Sequence, residues 1–539
     1  MLAALLTAAP LHAQEHERQV VVAPIAGAAP GIAPHGIAGI NFGGDGKLYA
    51  GSLIGPGIYR IDVTTGMLEE VVGAPLGEAD DVAMGPDGSL VWTAFVAGEL
   101  RVRRPDGTVA TLLGDVSQVN PVNFTGEGRL FAGQVGKPDR LIEVDPSGRQ
   151  PPRTVATDLG GLNAFVDDGR RGAEAGLYVP LAEKGAIGRV NLATGVVTIV
   201  ADGLGQPVAV KRDSRGGLVT LDWSTGKLTH VNPMTGETQR IAVVTPPLDN
   251  LAIGPDDTIY VSRPTDNGII AVDPFSGRQR PVVQGTLAAP GGLALTTRGD
   301  RPVLIVADAY GYRFVDPGNG SAELLPFDLG TGASSAVAVM DDAIVLGYVR
   351  RPGVTVLDRA TGRVRATYTG FGAPMGVAAH GGTIYVADYG RGEIVKLVPG
   401  GTPERAVVAA GLNGPVGLAI DAAGYLVASE ALAGTLLRLD PATGEKTAVA
   451  QGLSQPEGLA LLPDGRIAVA EVGARRLTLI DPASGSRVVV ADELAVGQMF
   501  TRSPPPVYLP TGVAADADGA IYVVCDADNS ILKFTPRDK

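Results

Sequence analysis

A unit of about 40 to 45 residues recurs along nearly the whole chain. Such a period settles the architecture before any local signal does, because each unit can bury its apolar surface only against its neighbours. Each unit opens with a form of Pro-X-Gly-Leu-Ala, as in "GPVGLAIDAAG" at 414–424. It then passes a Gly-containing turn, continues as "LYVAD" or a relative of it, and alternates as in "IVKL". A Thr-Gly or Ser-Gly turn such as Thr65-Gly66, Thr194-Gly195 or Ser484-Gly485 precedes a last Val-rich strand. The glycine supplies the permissive backbone of a tight hairpin.

Four short strands per unit make each unit a propeller blade, and the marker X falls at 35, 80, 121, 163, 208, 249, 291, 335, 375, 416, 457 and 511. Twelve blades exceed the usual four to eight of one ring. The expected fold is therefore all-β: two six-bladed β-propellers over 31–288 and 289–539, with a single larger ring as the alternative. The last unit stops after its third strand at "SILKFTPRDK", whereas "RQVVVAPIAG" near the start is an orphan of the fourth-strand type. Residues 14–30 are thus expected to close the last blade, which would otherwise leave an open edge. The Pro-rich insertion "LAVGQMFTRSPPPVY" at 494–508 is either an ordinary loop or a cover over a channel mouth.

Composition narrows the partners. The 75 glycines and 40 prolines, with only 19% charged residues, suit short strands and tight turns. A net charge of -13 opposes nucleic acid and anionic lipid, which are bound mainly through Lys and Arg. No stretch is apolar for long enough to span a membrane. The opening "MLAALLTAAPLHAQ" carries an apolar run ending in Leu11-His12-Ala13, the pattern of a secretory signal over 1–13, although the usual basic residues before it are missing. A periplasmic or secreted location follows as the expectation. Cys525 is the single cysteine, so no disulfide can form within one chain, and in "IYVVCDAD" it reads as a small buried residue.

The units "GPVGLAIDAAGYLVASEALAGTLLRLDPATG" and "APMGVAAHGGTIYVADYGRGEIVKLVPGG" resemble NHL-type repeats. The chain beyond residue 30 is similar to the β-propeller superfamily that includes gluconolactonase and senescence marker protein. That resemblance implies a divalent metal, often calcium, in the central channel, held by Glu, Asn and Asp side chains near the inner strand starts, where X lies. The flanking contexts "ADDVA", "GLNAF" and "LDNLA" depart from the gluconolactonase ones, and His35 stands where that family carries a carboxylate.

In the first propeller X is His35, Asp80, Pro121, Asn163, Val208 and Asp249, with Asp81, Asn123 and Asn250 beside it. In the second it is Gly291, Ser335, Met375, Val416, Glu457 and Thr511. Blade geometry brings these positions to one axis, so Asp80, Asn163 and Asp249, from alternate blades, form a candidate oxygen-donor set for calcium, with magnesium, manganese or zinc as alternatives. His35 and Asp81 are the candidate proton-transfer groups. Two functions fit: a protein binding a small molecule, glycan or protein on a propeller face, or a metal-dependent hydrolase (lactonase- or esterase-like) or lyase acting at that channel. The acidic positions Asp308, Asp388, Glu430, Glu471 and Asp526 read as turn caps, matched in the first propeller by Asp222 alone. His230, His380 and Trp223 read as surface or packing residues.

Overall fold

The computed structural model describes residues 16–28, 32–55, 57–137, 139–325, 334–401, 404–499 and 509–537. The 1–13 leader and most of the 494–508 insertion lie outside them. The described strands assemble into twelve four-stranded antiparallel sheets, eleven of them made of four consecutive strands. The chain divides into two compact units, one built on Pro24–Ala289 and the other on Pro290–Gln498 with the segments at both chain ends.

In the first unit, inner strands neighbour one another in blade order from Ile37–Phe42 through Ala79–Met84, Val119–Phe124, Val166–Asp167 and Pro207–Arg212 to Leu251–Ile253, which returns to Ile37–Phe42. The ring is closed and six-bladed. The second unit closes likewise, from Pro290–Arg298 round to Val513–Ala515. Its last sheet has the order Val513–Ala515, Ile521–Cys525, Ser530–Pro536, His16–Val22, so the N-terminal strand is the outer strand of the sixth blade. The orphan pair read from the sequence meets antiparallel, with His16 opposite Pro536 and Val22 opposite Ile531.

Packing explains the strand compositions. Second strands such as Leu90–Ala94, Ile467–Glu471 and Ile521–Cys525 are buried throughout, because blades lie on both their faces. They read as mainly apolar runs, interrupted at Thr93 and Glu471. Outer strands face water, as at Thr198 and Ile199 of Val197–Ala201. The core clusters join neighbouring blades: Ile37, Ile40 and Tyr59 pack on Tyr260 and Ile269, and Phe131 and Leu141 pack on Leu177 and Val179. Among the described residues no helix is long and apolar enough to cross a membrane.

Candidate functional site in the first propeller

The channel is shaped by a recurring irregularity at the start of the inner strand. In blade two Ala79 pairs with Ala94 and Val82 with Trp92, so Asp80 and Asp81 together oppose one residue, Thr93. Such a bulge turns side chains off the sheet's regular alternation. Blade one repeats it with Ile37 opposite Ser52 and Ile40 opposite Ala50, and blade three with Val119 opposite Gln134 and Val122 opposite Ala132. The residues equivalent to Asp80 are therefore Ala38 and Asn120, not His35 and Pro121. His35 lies in the loop before blade one, buried, its N–H donating to Ser52 Oγ at 2.7 Å and its carbonyl accepting from Ile54 and Gly55.

Asp81 occupies the middle of the channel. Its Oδ1 accepts the Val82 N–H at 3.0 Å and the Asn250 amide at 3.3 Å, and its Oδ2 accepts the Val122 N–H at 3.1 Å. One carboxylate thus ties blades two, three and six. It can cross in front of blade one because the equivalent residue there is Gly39, where a Cβ would stand 2.6 Å from Asp81 Oδ1. Burial pushes the Asp81 carboxyl above its ordinary range, against the downward pull of Lys211 and of these hydrogen bonds. These bonds commit both oxygens of the candidate base to holding the ring.

Asp80 and Asp249 are placed differently. Neither carboxyl takes a hydrogen bond from a described residue. Both are held above the ordinary range, Asp80 by burial, then by Asp249 and Asp81, and Asp249 by burial, then by Asp81. They belong to blades two and six, which flank blade one, where the equivalent residue is Ala38. Asn163 is turned elsewhere: its Oδ1 accepts the Asn120 amide at 3.1 Å and the Ala164 N–H at 2.9 Å. The structure therefore couples Asp80 with Asp249 and hands Asn163 to Asn120. Among the described residues no group of three or more His, Cys, Asp or Glu side chains is arranged to hold a metal ion.

Sequence reasoning missed Lys211, a buried lysine that faces Asp81 from the opposite side of the ring. The signal was the lysine in the inner-strand run "PVAVKR", which the strand buries while Arg212 beside it is exposed.

The second channel is of another kind. Gly292, Leu293, Ala336, Met375, Val416 and Leu459 are among the residues lining a space of about 60 Å³, small and largely apolar. Glu457, fully buried, accepts the Thr511 N–H at 2.8 Å, and burial pushes it up to about 8. The acidic positions one strand farther out do cap turns: Asp388 accepts the Gly372 and Ala373 N–H groups, Glu430 that of Asn413, Glu471 that of Ser454, and Asp526 those of Gly497 and Gln498. Cys525 is buried and its thiol is pushed up to about 12, so it stays an unreactive packing residue.

Glu457 carries a pH prediction. Its pKa is raised from an ordinary 4.5 to about 8, so between those values the folded chain binds a proton that the unfolded chain has lost. Its contribution is fully present below about pH 4.5 and is lost as pH rises through 8. Over that window it weakens the second propeller by on the order of a few kcal/mol. Calorimetric melting at acidic and mildly alkaline pH should show a steeper fall for wild type than for Glu457→Gln, which keeps an oxygen for Thr511 and does not ionise. Parallel slopes would show that Glu457 titrates as an ordinary carboxylate.

Elsewhere, His230 lies 3.3 Å from Asp213, His380 is exposed and Trp223 is at the surface. Fold and channel together define a β-propeller protein with one polar and one apolar ring. No protein-family profile and no curated protein matches the chain. Similar solved structures include a streptogramin B lyase, 16% identical with a TM-score of 0.38 over 54% of this chain and 95% of that one. A virginiamycin B lyase from Staphylococcus aureus, in a catalytically inactive form with quinupristin, is 15% identical with a TM-score of 0.38, covering 54% of this chain and 96% of its own. The extracellular domain of a one-component system from B. thetaiotaomicron is 12% identical with a TM-score of 0.33, over 96% of this chain and 84% of that one.

Proposed function

We propose that the chain is an exported ligand-binding protein whose first propeller takes a small cationic ligand between Asp80 and Asp249, a divalent ion such as calcium being the simplest. One observation carries this reading: the Asp80 and Asp249 carboxyls, from the two blades that flank blade one, receive no hydrogen bond from a described residue, and burial with like charge holds both above the ordinary range, Asp249 acting on Asp80 and Asp81 on both. A cation relieves that repulsion, and hard carboxylate oxygens suit calcium or magnesium. The Asn163 oxygen already accepts two hydrogen bonds, so the rest of the coordination shell would come from water or from an organic ligand. The sequence resemblance to gluconolactonase-like propellers and the opening apolar run agree with this reading.

A metal-dependent hydrolase or lyase is the second reading, and the same pair favours it. Of two coupled carboxyls one keeps its proton while the other ionises, an acid and a base at one place. When bound, a divalent ion would polarise a substrate carbonyl there.

The test is thermal unfolding after chelation, then with calcium, magnesium, manganese or zinc, for wild type, Asp80→Asn and Asp249→Asn. Ligand at about 100 times its Kd stabilises the native state by roughly 2.7 kcal/mol, worth several degrees. An ion-specific rise that both variants lose supports the site. Equal behaviour of all three proteins, or no rise with any ion, removes the cation.

A further inference from the structure

Lys211 is the buried lysine of the described chain, 5% exposed, on the inner strand Pro207–Arg212 of blade five. It interacts with Asp81, which belongs to blade two. Blades two and five stand opposite each other in a six-membered ring. Their side chains can meet only through the channel, so the lysine is aimed into it. No described residue forms a hydrogen bond with its Nζ, and Asp81 is tied by Val82, Val122 and Asn250 rather than by the lysine. A surface lysine would be solvated, and a structural one would be bonded to the carboxylate it faces. This amine is neither.

We infer that Lys211 is a nucleophilic amine that condenses with a small aldehyde or α-keto acid entering the first-propeller channel. The amine nitrogen attacks the carbonyl carbon, the C=O π pair moves to oxygen, and proton transfer gives a carbinolamine. That intermediate loses its hydroxyl as water, leaving Lys211 joined to the ligand through C=N. Both hydrogens of the amine leave in the water, so the exchange balances without a further reagent. If the imine takes up a proton, Asp81 faces it as a counter-charge. Burial lowers the ammonium's pKa although Asp81 opposes this, which raises the fraction of free amine at neutral pH. Lys211 is a separate group from Asp80 and Asp249, and its reaction does not depend on a cation there.

The experiment is reductive trapping. The full chain is incubated at neutral pH with glyoxylate and cyanoborohydride, which reduces an imine to a stable secondary amine, and modified lysines are mapped by peptide mass spectrometry. Lys47, Lys137, Lys184 and Lys446 are exposed and serve as internal controls. Lys211 should be modified several-fold faster than they are, because burial lowers its pKa and leaves more free amine at neutral pH. Lys211→Arg keeps the charge and removes the acceptor, so it should abolish the fast modification while melting near wild type. Asp81→Asn removes the opposing carboxylate and should accelerate modification at Lys211. Labelling of the controls with none at 211, or at an equal rate there, would overturn the inference.

Discussion

Deleting residues 1–22 should cost the second propeller most of its stability. The strand His16–Val22 pairs along its length with Ser530–Pro536, from His16 opposite Pro536 to Val22 opposite Ile531. A ladder of this length contributes about 5 kcal/mol at roughly 1 kcal/mol for each hydrogen bond. Val22, 2% exposed, adds about 1.5–3 kcal/mol of burial. The strand also reaches beyond its own blade: the Val21 carbonyl lies where a Cβ on Gly320, in a turn of that propeller's first blade, would stand 2.0 Å away. It therefore seals the seam at which the ring closes. At about 2–4 °C per kcal/mol for a unit of this size, the deletion should lower that propeller's melting temperature by more than about 10 °C. It should also expose Ser530–Pro536 as an edge that pairs between molecules. Calorimetry and light scattering read both effects, and a peptide spanning 16–22 added in excess should restore part of the loss by adding back the strand. An unchanged melting temperature would show that the ring closes without it.

The closure was legible because it rests on counting: one unit lacks a fourth strand and one strand lacks a unit. The channel was legible only in part. Asp80, Val208 and Asp249 do stand at equivalent places, since their blades keep the spacing between marker and bulge. In blade one the sequence "PHGIAG" imitates the marker three residues early, and the strand pairing puts Ala38, not His35, at that level. In blade three the proline itself drew the marker to Pro121, one residue past Asn120. A bulge is a matter of which residues pair across strands, and one strand's composition does not report it. The adjacent carboxylates divide the work in a way no spacing shows: Asp81 is spent on hydrogen bonds across the ring, and Asp80 is left to Asp249. Part of the difference depends on Gly39, a residue of another blade whose contribution is the room it leaves for Asp81.

Asn267 should prove the costliest single substitution in the first propeller, because that ring closes without any exchanged strand. All four strands of its sixth blade are consecutive, so nothing covalent of that blade crosses the seam to blade one. The side chain of Asn267, 0% exposed, does so instead. Its Oδ1 accepts the N–H groups of Gly36 at 2.6 Å and Ile37 at 3.2 Å, where blade one begins. Its Nδ2 donates to the carbonyls of Leu287 at 2.8 Å and Ala288 at 3.0 Å, where the chain leaves blade six. Both ends of the ring are pinned by one amide. In sequence "TDNGII" reads as an ordinary Asn-Gly turn, and the left-handed φ of 53° agrees with that reading while giving no hint of the four bonds. Asn267→Ala leaves buried donors and acceptors unsatisfied, at about 1–3 kcal/mol each where water does not enter, and adds strain at a positive φ. A loss of roughly 3–5 kcal/mol in urea unfolding is expected. Asn267→Gly separates the two causes: glycine accepts the backbone conformation and still lacks the amide, so it should recover about 1 kcal/mol and no more. Recovery to wild-type stability in the glycine variant would assign the whole effect to backbone strain and deny the side chain its part in closing the ring.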